Sequence, residues 1–320
     1  MSSDCLVIDL YAYNCGLVTQ QAMPFLYYLV LRPFSLLPSW VLYRISDVMY
    51  LIIYRIVGYR RKVVRTNIQN SFPNWTKDYH LKTEREFYVH FCDLIVESIK
   101  AFTISKKELE KRFGQRNPEI FQKYFDAGQH VTVVGGHNGN WELYAVSVGL
   151  HLPHQPLALY TKLNNEFMNE KITKSRSKYG LWMKSYEEAK EIIKRVNERP
   201  VAFIFGSDQC PNIKQKPYWT TFLNQETGVQ FGTEKFARDN NTPVIYGFIH
   251  KLKRGRYEIE YRLVCENPNE LEIGMISERH TRMLETDINN EPSYWLWTHK
   301  RWKRKKKDFD MYREELQSVA

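Results

Sequence analysis

The stretch VTVVGGHNGNWELYAVSVGL, residues 131–150, decides how the chain is read. VTVV is a β-branched apolar run of the kind that fills a buried strand. Two glycines follow, Gly135 and Gly136, and glycine is the usual residue of a tight strand-to-helix turn. WELYAVSVGL can then form a helix. His137 and Glu142 fall in and after the turn, five positions apart, which on a straight helix do not share a face. The small residues Asn138, Gly139 and Asn140 let the chain turn first, with the helix beginning near Asn140. Glu142 is then expected to fold back toward the imidazole and hold its tautomer, as a carboxylate does in a catalytic triad. The plainer alternative is a turn histidine beside a solvated first-turn glutamate, a position that suits the helix dipole.

The same alternation continues outward. LALYT (157–161), VAFIFGSD (201–208), PVIYGFIHKL (243–252) and RYEIEYRLV (256–264) read as strands. Residues 76–127, 141–150, 164–180, 186–200, 232–241 and 271–290 read as helical. In KDYHLKTEREFYVHFCDLIVESIKAF (77–102), Leu81, Phe87, Phe91, Leu94, Ile95, Ile99 and Phe102 lie near a 3.6-residue period. Strands alternating with helices predict an α/β fold, a mostly parallel central sheet flanked by helices. In such sheets sites gather beyond the carboxyl ends of the strands. His137 follows VTVVGG and Asp208 follows VAFIFGS, so both are candidates. His137 is the candidate general base, since its ordinary pKa lies near operating pH. No nucleophile elbow and no phosphate-binding glycine loop are present, which favours direct transfer, a base deprotonating a substrate hydroxyl that attacks an activated acyl group.

The 320 residues carry 46 Lys and Arg against 36 Asp and Glu, a net charge of +10. A basic surface suits nucleic acid, an anionic membrane, or an acidic carrier or substrate. The five cysteines form no CxxC pair and no zinc-type cluster. This predicts a reducing compartment and no structural metal. No cleavable secretory signal is evident. Aromatic residues make up 14% of the chain, and Tyr and Trp favour membrane–water interfaces.

Segment 24–57 is the most apolar, yet Arg32, Pro33, Pro38, Arg44, Asp47 and Arg55 interrupt it. A bilayer span needs about 20 mostly apolar residues. Two short helices lying in or against the interface fit better, with YRRKVVR (59–65) at the level of lipid phosphates. The alternative is an ordinary core hairpin. The expected division is an extension or misassigned start over 1–22, a membrane-associated helical segment over 23–65, the α/β domain over 66–299, and a basic tail over 300–320. The tail's KRWKRKKK (300–307) suits nucleic acid, an acidic carrier or anionic lipid, with Trp295, Trp297 and Trp302 expected at an interface, or else a plain solvated tail.

GGHNGNWEL (135–143) resembles the His-x-x-x-x-Glu signature of the lipid A late acyltransferases, in the lysophospholipid acyltransferase superfamily. Further pieces follow in the family's order. YRRKVVRTNIQNSFPNW (59–75) is similar to a basic segment ending in an Asn-x-x-x-x-FP element, and EFYVHFCDLIVESIK (86–100) to the next helix. NEKITKSRSKYGL (169–181) resembles the stretch carrying a functional arginine, here Arg176. FGSDQCP (205–211), GTEKFARDNNTPVI (232–245) and YWLWTHKRWKRK (294–305) are similar to the strand-end aspartate segment, the following helix and strand, and the closing motif. One departure is YWTTFLNQETGVQFGTEKFARD (218–239), which stands where many members carry an FFG-type element; it bears on pocket shape and acyl-chain length.

The resemblance implies a glycerolipid acyltransferase-like fold and transfer of a fatty acyl group, from acyl carrier protein or less commonly acyl-CoA, to a hydroxyl of a lipid A precursor. It implies work at the cytoplasmic face of the bacterial inner membrane, with acyl carrier protein, a membrane glycolipid and the anionic membrane surface as partners. No nucleic acid, metal or cofactor is expected. His137 would take the hydroxyl proton and Glu142 would steady the imidazole. Arg176 would bind phosphate or the donor's thioester side, its plainer reading being a solvated helix arginine. Asp208 would orient a catalytic group or the acceptor, or else cap a turn. Asn140, grouped with the substrate-binding residues, would also shape the turn with Trp141. Two alternatives stay open: a related acyltransferase acting on an aminolipid or a mannosylated phosphoinositide, and a non-catalytic basic membrane- or nucleic-acid-binding protein.

Overall fold

A computed structural model describes residues 22–195 and 199–319. The expectation of an extension over 1–22 falls, but for Ala22, outside the described residues. The strands are β1 (Phe113–Arg116), β2 (Val131–Gly135), β3 (Gln155–Leu159), β4 (Trp182–Lys184), β5 (Val201–Gly206), β6 (Tyr218–Phe222), β7 (Gln225–Val229), β8 (Val244–Lys253) and β9 (Arg256–Cys265). Seven of them form one sheet in the order β1-β9-β8-β2-β5-β3-β4. All pairings in it are parallel except β8 with β9. The α/β architecture with a mostly parallel sheet flanked by helices is therefore the fold.

Ten α-helices are used below as landmarks: α1 (Ser39–Tyr50), α2 (Arg61–Ser71), α3 (Lys77–Ala101), α4 (Lys106–Arg112), α5 (Trp141–Ser147), α6 (Glu166–Arg176), α7 (Tyr186–Arg195), α8 (Gly232–Asp239), α9 (Met275–Asn290) and α10 (Lys306–Val319). Their ends follow from local chemistry. Thr76, Ser105, Asn140 and Asn165 each use a side-chain oxygen to accept a first-turn N–H of the helix that follows. Gly180, at φ +100°, stops the segment after α6 in the left-handed conformation that glycine tolerates. The central strands are buried: Val131, Val133, Val134, Val201, Ala202, Phe203, Val244 and Ile245.

Four strands lie where the residues carry no strand signal. β1 sits inside the stretch expected to be helical, and β1 and β4 are short strands at the two edges of the sheet. Four and three residues are too few to show an alternating pattern. The β6–β7 hairpin turns through Leu223 and Asn224, both at positive φ (49° and 61°). That is the geometry of a tight hairpin turn, but Leu-Asn is not the Asn-Gly signature that announces one.

The N-terminal apolar segment is a helical run from Met23 to Leu36, broken at Leu37 and Pro38, followed by α1 and a π-helical extension to Val57. Among the described residues no single helix is long and apolar enough to cross a membrane. The two runs together have the length and composition, but they are bent by 117° at the break. Buried Met23, Leu31 and Tyr54 tie the pair to the core, whereas Trp40 (71% exposed) and Ile56 (78% exposed) face outward.

The closing segment corrects two expectations. Trp295, Trp297 and Trp302 are buried, with Trp297 and Trp302 each edge-on to Trp295, rather than lying at an interface. The expected basic tail is partly built into the fold. Arg301 is buried and donates to Thr227 Oγ1 (2.7 Å) and the Gly228 carbonyl (2.9 Å), and Arg304 donates to the Pro211 carbonyl (2.5 Å). Lysine-rich composition hid the tryptophan-lined core contact between the charges.

Gly149 tests the packing behind α5. A β-carbon there would lie 2.1 Å from the Tyr179 carbonyl oxygen, which is backbone and cannot swing away. Gly149→Ala is expected to destabilise the fold by about 1–3 kcal/mol, read as a lower urea midpoint.

Candidate active site

β2 and β5 are parallel neighbours in register, with Gly135 opposite Gly206. Two residues beyond each glycine stand His137 and Asp208, so the pairing alone brings them side by side at the carboxyl end of the sheet. Asp208 grips His137 twice. Its Oδ1 lies 2.6 Å from the imidazole Nδ1, and its Oδ2 accepts the His137 backbone N–H at 2.7 Å. The Trp295 indole N–H donates to the same Oδ2 at 2.8 Å. Gly206 leaves room for the ring: a β-carbon there would sit 3.1 Å from His137 Cε1. The Trp141 indole meets the imidazole edge-on at 5.2 Å between centroids.

This corrects the role expected for Glu142. Its carboxylate receives the Arg176 guanidinium in a two-pronged pair, Nε to Oε2 at 3.0 Å and Nη2 to Oε1 at 2.6 Å. Asp208, not Glu142, occupies the tautomer-setting position on Nδ1. The reason is geometric. Glu142 lies in the first turn of α5 and reaches α6, while Asp208 leaves the adjacent strand end beside the ring. Arg176, expected to bind a substrate anion, has Glu142 as its anion in this structure. Asn140, expected among substrate-binding residues, is fully buried, and its side chain is used within the protein. Its Oδ1 accepts the Leu143 N–H at 2.9 Å and its Nδ2 donates to Glu97 Oε2 at 2.6 Å.

Burial disfavours the imidazolium of His137, and it disfavours the Asp208 carboxylate. In both cases the mutual attraction of the pair outweighs it. The charge and hydrogen bond of Asp208, with help from Glu142 and against Arg176, raise the His137 pKa above its ordinary 6.5. The charge of His137, its two N–H groups and the Trp295 indole hold the Asp208 carboxyl far below its ordinary range. With Asp208 on Nδ1, the other ring nitrogen, Nε2, is the one suited to take a proton from a substrate. The imidazole side chain is 22% exposed, so it can be reached.

Two apolar cavities lie nearby, one against His137 and one against the Glu142–Arg176 pair. One, of about 100 Å³, runs from His137 and Trp141 over Gly135, Gly206 and Gly247 toward Ile249 and Ile259. The glycines leave strand backbone bare there. The other, only about 20 Å³, lies between the first helical run, α3, α5 and α6, with Leu31, Phe102, Met168 and Ile172 on its walls and the Glu142–Arg176 pair at one side. Among the described residues no group of three or more His, Cys, Asp or Glu side chains could hold a metal ion.

The turn itself is held from all sides. The Gly139 N–H donates to the Tyr294 carbonyl (2.9 Å), the Leu296 N–H to the His137 carbonyl (3.1 Å), and Asn138 Nδ2 to the Ile249 carbonyl (2.8 Å). Trp295 was legible as part of a motif but not as the indole that holds Asp208. Glu97 left a signal too, an acid inside the apolar run of α3.

Residues 15–304 match the family of bacterial lipid A biosynthesis acyltransferases. The chain belongs to that family. It is 21% identical over 294 residues to a lipid A biosynthesis acyltransferase of Haemophilus influenzae, with 87% of this chain and 88% of the relative covered. Membership supports an acyltransferase activity of the lipid A type in general.

The dyad's electrostatics can be checked without activity. Asp208→Asn is expected to lower the His137 titration midpoint, because the charge that favours the imidazolium is gone. The midpoint is read from the imidazole Cε1–H resonance against pH, assigned with His137→Gln.

Proposed function

We propose that this chain transfers a fatty acyl group from a thioester donor, acyl carrier protein or acyl-CoA, to a hydroxyl of a lipid A precursor, with His137 as general base. The observation that carries the reading is the 2.6 Å contact between His137 Nδ1 and Asp208, beside an apolar cavity. His137 Nε2 takes the hydroxyl proton as the oxygen attacks the thioester carbonyl. The tetrahedral intermediate collapses with rupture of the C–S bond, and the imidazolium returns the proton to the departing thiolate. An ester has formed and a thiol is released, with no net redox change and no covalent enzyme intermediate. Asp208 fixes the tautomer and stabilises the imidazolium. The Glu142–Arg176 pair adds a fixed charge pair at one side of the second cavity. In this reading the donor's acyl chain enters beside His137 at the glycine-lined cavity, and the acceptor lipid approaches from the side of the first helical run; both cavities must widen to take them.

The first helical run, α1 and its extension to Val57 supply the membrane contact in this reading. Their outward apolar residues include Phe25, Leu29, Trp40 and Ile56, and the basic residues Arg60, Lys62 and Arg65 follow directly. Such a surface suits the cytoplasmic face of an inner membrane rich in anionic lipid.

The base is neutral only above its raised pKa, so kcat/KM is expected to rise with pH through an apparent value above 6.5. His137→Ala is expected to lower kcat by about 10²-fold or more, and lipid mass spectrometry of cells carrying it should show one acyl chain missing. An unchanged lipid profile would favour a non-catalytic role. Trp40→Glu with Ile56→Glu should reduce co-sedimentation with phosphatidylglycerol-containing vesicles while leaving the fold intact; unchanged sedimentation would exclude this contact face.

A further inference from the structure

α3 carries three buried ionisable groups on one face that the dyad does not use: His90, Asp93 and Glu97. The spacing of three and four residues aligns them along the helix. His90 Nε2 lies 2.9 Å from the Gly139 carbonyl. Asp93 receives Ser46 of α1 (2.8 Å) and Arg254 of the β8–β9 turn (2.6 Å), with Lys251 at 3.5 Å. Glu97 is the centre of the group. Its Oε1 accepts from the Tyr43 hydroxyl of α1 at 2.7 Å, and its Oε2 accepts from the Tyr257 hydroxyl of β9 at 2.8 Å and from Asn140 Nδ2 at 2.6 Å.

Gly139 and Asn140, which join the histidine turn to α5, are thus both held by α3. Gly139 adopts φ +55°, and a β-carbon on it would meet Ile249 at 2.6 Å, so the turn has no slack on that side. Asn140 caps α5 with its oxygen, and this leaves its NH₂ in a dry interior where it needs an acceptor. Placing a carboxylate there costs desolvation that an apolar residue would avoid. Burial and the neighbouring Asp93 push the Glu97 carboxyl up, against the two tyrosines and Lys251. The group's location therefore needs a reason other than stability.

We propose that Glu97 is the positioning residue of the histidine turn: by holding Asn140 it fixes His137 against Asp208 on one side and Glu142 against Arg176 on the other, and through Tyr43 it ties that geometry to the placement of α1. The inference rests on the proposed function for its kinetic consequence. Its geometric consequence, the environment of His137 among Asp208, Glu142 and Arg176, is independent of activity.

The test uses the full chain with an acyl-carrier-protein thioester and a lipid A precursor, together with the His137 imidazole titration. Glu97→Ala is expected to lower kcat by about 10²-fold, as a displaced reacting group does. KM should stay within a few-fold, and the His137 midpoint should fall as Asp208 loses its alignment. Glu97→Gln retains an acceptor for Asn140 and should recover most of the loss. Asn140→Asp sets two carboxylates face to face and should be impaired, and adding Glu97→Gln should restore it, since the glutamine NH₂ then donates to the new carboxylate. A kcat and a midpoint unchanged in folded Glu97→Ala would overturn the proposal, as would equal impairment of the alanine and glutamine variants. If Glu97→Ala does not fold, the reciprocal pair decides, and failure of the second change to restore the first overturns it. Absence of acyl transfer by the unaltered protein would instead reject the functional reading, while the titrations would still report on Glu97.

Discussion

Asp208 accepts hydrogen bonds from the His137 backbone, the His137 ring and the Trp295 indole in a space nearly closed to water. A buried carboxylate is tolerable only when its oxygens are met in this way. Each such bond to a charged group contributes about 1.5–3 kcal/mol, and together they outweigh the desolvation. The surrounding arrangement follows. β2 and β5 must be parallel and in register to bring the two residues together, Gly206 must be bare for the ring to lie flat, and the segment 294–296 must cross the turn to deliver the indole.

The same requirement explains the flanks. An imidazole held this close to a carboxylate needs its backbone fixed, and α3 supplies that through His90 and Glu97. The Glu142–Arg176 pair then lies as a neutral unit on the far side of the turn. Two charges that cancel locally can border an apolar cleft at less cost than either one alone, because the cleft sees a dipole rather than a net charge.

Much of this was legible in the residues. The β-branched runs ending in glycine marked β2 and β5, and the strand-end rule pointed to His137 and Asp208 together. Orienting a catalytic group was one of the roles expected of Asp208, and it does hold the His137 ring, but the Nδ1 position was assigned to Glu142, because Glu142 is close in the sequence whereas Asp208 is adjacent only through strand pairing, which the sequence does not display. Glu97 looked like one more helix acid, and its meaning depends on Asn140 and Tyr43 arriving from distant segments. Trp295 was read by composition, beside lysines, and so was assigned to a surface. β1, β4 and the β6–β7 hairpin escaped because they are stabilised by neighbours or by a turn lacking its usual residues, rather than by their own pattern.

The crossing of the histidine turn by residues 294–296 also has a bearing on biogenesis. On the ribosome, the strands and the imidazole emerge long before Tyr294, Trp295 and Leu296 do. The nascent polypeptide therefore has a histidine loop with unmet backbone groups and an aspartate lacking its indole until residues 294–296 have emerged. A polypeptide cut short before Tyr294 would lack the contacts that hold the histidine turn and the indole that meets Asp208.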